Sequence, residues 1–126
     1  MSELRDISSP ADIELLLNTF YAKATQDPLI GSFFTEVLAH NWPAHFSAIC
    51  SFWESIAFGT PGYKGDPMKV HLQVHAQQTM RAEHFDRWLQ LFTTTVNTLF
   101  EGKKAEELKA RAASIASIML LKIKAA

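Results

Sequence analysis

The residue of this 126-residue chain that most readily suggests chemistry is His71. It follows residues 59–67, a segment that holds three of the five glycines and two of the five prolines and is therefore predicted to be a loop. A neutral imidazole nitrogen on a short helix after such a loop can bind iron as an axial ligand, provided that the other ring nitrogen donates a hydrogen bond that fixes the tautomer. The competing interpretation is a structural histidine that binds nothing.

Three polar side chains on the predicted inner faces of other helices could act together with His71: Tyr21, His45 and Trp88. Each of them could instead pack in the core with its polar end bonded to backbone or water. If they converge, their polar groups lie above one site, and His71 approaches that site from the other side. A histidine ligand below and hydrogen-bond donors above a planar cavity suit a haem iron that binds oxygen reversibly or activates a ligand.

A zinc site is the alternative for the same histidine. His71 and His75 are spaced so that both imidazoles lie on one helix face, but the pattern lacks the glutamate of the metalloprotease helix. Only Cys50, His84 or a carboxylate could complete the coordination sphere. Cys50 is the single cysteine, so it cannot form an intrachain disulfide, and we expect it to be a small buried hydrophobic residue.

Helical periodicity runs through almost the whole chain and predicts an all-α protein with one domain over residues 1–126, of which 1–9 and 124–126 are expected to fray. Ser9 and Pro10 predict the start of the first helix, which ends at Asp27-Pro28. A second helix opens at residues 41–43, and a short one runs from Met68 to about Gln77.

The remaining chain predicts two long helices. The longest is expected to carry the stripe from Phe85 to Phe100 and to end at Gly102, and the last is expected to start near Ala105. The nine Phe, three Trp and two Tyr residues all lie between Phe20 and Phe100, which leaves the final helix free of aromatic residues.

Charge and hydropathy point away from nucleic acid and membrane partners. Thirteen acidic against twelve basic residues give a net charge of −1, which offers no overall attraction to phosphate backbones. The N-terminus lacks the apolar segment of a signal peptide, and the longest apolar-rich run, residues 115–121, is far shorter than the ~20 residues that span a bilayer. We therefore expect a soluble, cytoplasmic protein.

Six stretches of the chain carry a resemblance to a known family: residues 19–23, 27–34, 42–45, 52–53, 63–71 and 85–92. Together they resemble the group III, or P-type, branch of the bacterial truncated haemoglobins, over nearly the whole chain from about Ile13 to Ile123. The chain contains no Gly-Gly pair, which agrees with group III and argues against groups I and II.

The resemblance implies a two-over-two helical sandwich around haem b, with His71 as the proximal iron ligand. It also implies Tyr21, Trp88 and His45 as the distal residues that stabilise a bound ligand, His45 acting as a gate as much as a donor. No role is assigned to His75. The residues expected to contact the cofactor are Phe34, His45, Ile49, Trp53, Tyr63, Met68, His71, Phe85, Trp88 and Phe92.

The implied activity is binding of O₂, NO or other diatomic ligands. Oxygen binding or transport, NO dioxygenase activity and peroxidase-like chemistry all use the same distal donors, so the sequence does not separate these activities. A reductase is a candidate partner for the enzymatic activities. We expect a monomer or a weak homo-oligomer. The alternative from another class is a haem-free helical module that binds a partner or an apolar ligand in the same cavity.

Overall fold

The structure, a computed structural model, describes residues 4–37, 42–61, 65 and 67–125, and every regular element within these ranges is helical. The all-α prediction is confirmed. Among the described residues, no helix is both long and apolar enough to serve as a membrane span. The elements are α1 (Pro10–Ala24), a short π-helix (Phe33–Val37), α2 (Trp42–Phe58), α3 (Pro67–Gln77), α4 (Ala82–Leu99) and α5 (Lys103–Ala125).

The ends of α1 follow the local chemistry of the sequence. The Ser9 side chain accepts a hydrogen bond from the amide of Asp12 at 3.4 Å, and Pro10 occupies the first turn, where a missing amide hydrogen has no cost. The helix ends at Ala24, shortly before Asp27. The predicted start of α1 is therefore confirmed, and the short helix predicted from Met68 to about Gln77 corresponds to α3.

The prediction that the Phe85–Phe100 helix is the longest is wrong. α4 has 18 residues and α5 has 23. α4 ends at Leu99 because Phe100 is extended (φ −140°, ψ 157°) and inserts into the core at 3% exposure. Gly102 does not terminate α4 but lies just before α5, with a φ of +147°.

The helices form two packed pairs, α1 with α2 and α4 with α5, and α1 also packs against α4. This is the two-over-two arrangement. Its centre consists of side chains that are fully or almost fully buried, among them Ile13, Leu16, Leu17, Phe20, Phe92, Val96, Leu108 and Ala112. α3 lies to one side, against α5 and the π-helix.

Residues 4–9, the described part of the N-terminal segment, are anchored to α5. Ile7 is 3% exposed. The Asp6 carboxylate accepts hydrogen bonds from the amides of Lys104 and Ala105, both at 2.9 Å, so it caps a helix almost a hundred residues away in the chain. Gly102 is required here, because a Cβ at this position would lie 2.5 Å from Cγ of Asp6.

The capping role of Asp6 makes its charge part of the stability of the fold. Burial acts to raise the pKa of the Asp6 carboxyl, but the amide hydrogen bonds from Lys104, Ala105 and Ile7 outweigh it and hold the pKa below its ordinary value. The ionised carboxylate therefore stabilises the folded state above the ordinary pKa. This stabilisation is lost as the pH falls through the lowered value.

We expect Asp6→Ala to lower the free energy of unfolding by about 1–2 kcal/mol at neutral pH, because α5 loses its N-terminal cap. The difference from the wild type should be smaller at pH 3, which lies below the ordinary pKa of an aspartate carboxyl, than at pH 7. Urea unfolding followed by circular dichroism at both pH values measures it. Glu101→Ala, which removes an exposed carboxylate nearby, is the control and should cost less than ~0.5 kcal/mol. Equal losses in the two variants would contradict the capping role.

Candidate functional site

A cavity of about 180 Å³ lies between the helices in the described part of the protein and opens to solvent at its mouth. The lining side chains are mostly aromatic and aliphatic: Tyr21, Ile30, Phe33, Phe34, His45, Ala48, Ile49, Phe52, Trp53, Val70, His71, Val74, Met80, His84, Phe85, Trp88, Ile115, Ala116 and Met119.

The four residues predicted to carry chemistry all lie in the wall of this cavity. His71 comes from α3, whereas Tyr21 comes from α1, His45 from α2 and Trp88 from α4. The fold therefore brings together side chains that are up to 67 positions apart in sequence, from Tyr21 to Trp88. His71 enters from a helix outside the two packed pairs.

Tyr21, His45 and Trp88 share a second property. No hydrogen bond joins the Tyr21 hydroxyl, the His45 imidazole or the Trp88 indole N–H to any described residue. Within the same part of the chain, no side-chain nitrogen or oxygen is both fully buried and without a partner. These polar groups therefore open onto the cavity or its mouth, and they are available to whatever occupies it.

Burial controls the protonation of the polar groups in this region. It raises the pKa of the Tyr21 hydroxyl well above its ordinary value, with a smaller contribution from Cys50, so the phenol remains a neutral donor. Burial, together with Glu14 and Glu54, raises the pKa of the Cys50 thiol to about 11. Cys50 carries no thiolate at neutral pH, but it is only half-buried against the core, whereas the sequence predicted a buried residue.

A column of aromatic rings supports the wall from behind. Phe92 stacks on Trp53 at 4.8 Å and on Trp88 at 5.4 Å between ring centroids, with interplanar angles of 23° and 15°. Phe20 meets both Phe92 and Trp88 edge-on. The sequence predicted that Phe92 contacts the cofactor. In the structure Phe92 is fully buried and is not part of the cavity lining. It fixes the orientation of Trp88 instead.

The other predicted contact residues divide into two groups. Phe34, Ile49, Trp53 and Phe85 line the cavity, as do the four polar residues. Tyr63 lies outside the described residues, as does the side chain of Met68, whose backbone belongs to α3.

Sequence reasoning missed part of the wall. α5 contributes Ile115, Ala116 and Met119, although no residue of the final helix was among the predicted contacts. Ile115 and Met119 belong to its apolar stripe, so periodicity could have found them. His84 lines the cavity at 8% exposure, and its ring packs edge-on against Phe33 at 5.0 Å. No pattern in the sequence singles it out.

The zinc alternative finds no support in the described residues, among which no three His, Cys, Asp or Glu side chains are grouped to hold a metal ion. His75 is engaged elsewhere, since its Nδ1 accepts a hydrogen bond from the amide of Met80 at 3.0 Å. What the cavity does offer is one histidine on α3, hydrogen-bonding groups on three other helices and an apolar surround. This combination can hold a flat apolar cofactor with a metal centre.

Comparison with known proteins supports this assignment. No model of a protein family matches the chain. The group 3 truncated haemoglobin ctb of Campylobacter jejuni is 30% identical over 108 residues, which amount to 83% of this chain and 83% of that protein. The crystal structure of the group III truncated haemoglobin from Campylobacter jejuni superposes with a TM-score of 0.82 at 27% identity, covering 93% of this chain and 92% of that one. The chain belongs to the group 3 truncated haemoglobins.

Proposed function

We propose that this chain binds haem b through His71 and holds O₂ by hydrogen bonds from Tyr21, Trp88 and His45. The observation that carries the proposal is the set of polar groups that open onto the cavity without a partner among the described residues, together with a histidine in the same wall. These half-buried groups converge on one apolar cavity, so they are available to a ligand that supplies their hydrogen-bond partners.

The residues present fit a haem. Imidazole is an iron ligand, and the aromatic and aliphatic side chains around it form an apolar surface for a flat ring. When bound, haem supplies an iron centre to which diatomic ligands bind. The apolar side chains of the wall, such as Phe52, Ile49 and Trp53, exclude water from that centre.

The distal residues of the chain supply neutral hydrogen bonds. Trp88 can only donate, through its indole N–H, and its ring is held by stacking on Phe92. Tyr21 donates through a phenol that stays protonated, and its ring is held edge-on by Phe34 and Trp42 at 5.3 and 5.1 Å. Such fixed donors stabilise partial negative charge on a diatomic ligand, which favours O₂ binding with slow release.

Tyr21→Phe tests the proposal, because it removes one hydroxyl and keeps the ring. A hydrogen bond of this kind has a net value of about 1–2 kcal/mol, so we expect O₂ to dissociate roughly 5- to 30-fold faster from the haem-loaded variant in stopped-flow measurements. Thr98→Val is the control, since it also removes a hydroxyl, but one on the exposed side of α4 that bonds the carbonyl of Thr94. An unchanged rate in Tyr21→Phe would remove Tyr21 from the proposed donors.

The raised pKa of Tyr21 gives a second expectation. Because an ordinary phenol loses its proton near pH 10 and burial moves this pKa upwards, the Tyr21 donor should persist at pH 10. We therefore expect the O₂ dissociation rate of the wild type to stay within about twofold between pH 7 and pH 10. A rate that rises over this interval in the wild type but not in Tyr21→Phe would show that the phenol ionises and would contradict the buried neutral donor.

A further inference from the structure

Two histidines, one from α3 and one from α4, accept hydrogen bonds from backbone amides of the segment that connects these helices. His75, in the last turn of α3, accepts a hydrogen bond at Nδ1 from the amide of Met80 at 3.0 Å. His84, in the first turn of α4, accepts one at Nδ1 from the amide of Arg81 at 2.8 Å. A backbone amide can only donate, so both Nδ1 atoms are acceptors and each neutral ring carries its proton on Nε2. We refer to these two contacts as the imidazole clamp.

Few of the described side chains of α3 are buried. Val74 is the one buried side chain among residues 69–77, which are the residues of α3 whose side chains are described. The backbone amide of Gln78 donates a hydrogen bond to the Val74 carbonyl and so continues the helical pattern. The Gln78 side chain donates to the Ser32 hydroxyl at 2.6 Å. α3 also packs against α5 and the π-helix, and the hydrogen bonds at its C-terminal end act together with these contacts to set its position.

The clamp lies next to the functional residue of α3. His75 is one helical turn after His71, and the clamped residue Met80 lines the same cavity as His71 and His84. A helix moves as a unit, so a shift of its C-terminal end changes the direction in which the His71 imidazole enters the cavity.

We propose that His75 and His84 are positioning residues: by holding the amides of residues 80 and 81, they set the orientation of α3 and hence of the His71 imidazole toward the cofactor. This role rests on the proposed function, in which His71 binds the haem iron. It also gives His75 a function in this protein.

The test compares substitutions that keep or remove an acceptor at the Nδ1 position of His75 in the haem-loaded protein. The Asn oxygen can replace Nδ1, whereas Leu has no acceptor and the Gln oxygen lies one bond farther out. Two properties report on His71, namely the resonance Raman band of the bond between ferrous iron and imidazole, and the rate of haem transfer to haem-free myoglobin. Loss of one hydrogen bond should accelerate haem transfer about fivefold and shift or broaden the band.

We expect His75→Leu, His75→Gln and His84→Leu to show these changes, and His75→Asn to remain within about twofold of the wild-type rate with the wild-type band. Gln77→Leu, at an exposed position of the same turn, controls for a surface leucine and should change neither property. His75→Gln and His75→Asn form a matched polar pair, so the comparison does not depend on a leucine variant that folds poorly.

Hydrogen exchange of the Met80 amide, measured by NMR on the same samples, separates the possible results. Faster exchange in His75→Leu and His75→Gln, together with a shifted iron–imidazole band, supports the proposal. Faster exchange with an unchanged band and haem-transfer rate overturns it, because the clamp would then stabilise only its own turn. A wild-type protein that takes up no haem overturns the proposed function, and with it the positioning role.

Discussion

The rest of the structure depends on one constraint: an apolar cavity must stay open while Tyr21, His45 and Trp88 in its wall have no hydrogen-bond partner for their polar groups among the described residues. A buried donor or acceptor without a partner costs about 1–3 kcal/mol, and no side-chain nitrogen or oxygen in the described part of the chain is both fully buried and unpartnered. The three groups therefore lie open to the cavity, and packing holds them there. The rings of Trp53, Phe92 and Trp88 stack in one column, and the indole of Trp88 cannot turn away without breaking it. Tyr21 is held similarly between Phe34 and Trp42.

Outside the cavity, the buried polar groups are partnered, and they join distant parts of the chain. Asp27 accepts from the amides of Leu29 and Ile30 and from Nε of Arg87 at 2.7 Å, which links the end of α1 to α4. Burial opposes its ionisation, but these hydrogen bonds hold the pKa of the Asp27 carboxyl below its ordinary value. Asp6 connects the N-terminal segment to α5 in the same way. The two kinds of polar group therefore differ, because one stabilises the fold and the other faces the cavity.

Sequence reasoning succeeded where residue type and helical period decide the outcome. Those two properties predict that Tyr21, His45 and Trp88 face inward, and they also predict the position of His71. The structure places all four residues in the wall of one cavity. Periodicity cannot tell which part of an inward face borders a cavity. Phe92 shares a face of α4 with Trp88, one turn away, but the indole covers it.

The features that sequence reasoning missed depend on contacts between segments. The His84 ring is held by a hydrogen bond from the backbone amide of Arg81, and no local sequence pattern predicts the course of the turn to which that amide belongs. The capping of α5 by Asp6 joins residues 98 and 99 positions apart. The end of α4 was predicted at Gly102 but lies at Leu99, because Phe100 is extended and buried in the core, a tertiary effect that overrides the helical propensity of the stretch around it.

The most direct test of the account is the absorption spectrum of the purified protein after haem is supplied, compared with that of His71→Gly. The account predicts a Soret band with the spectrum of a histidine-ligated haem in the wild type. In His71→Gly this spectrum should be lost, and added imidazole, which can enter the space left by the side chain, should restore it. A wild-type protein that stays colourless, or a His71→Gly variant with an unchanged spectrum, would contradict the claim that this cavity holds haem through His71.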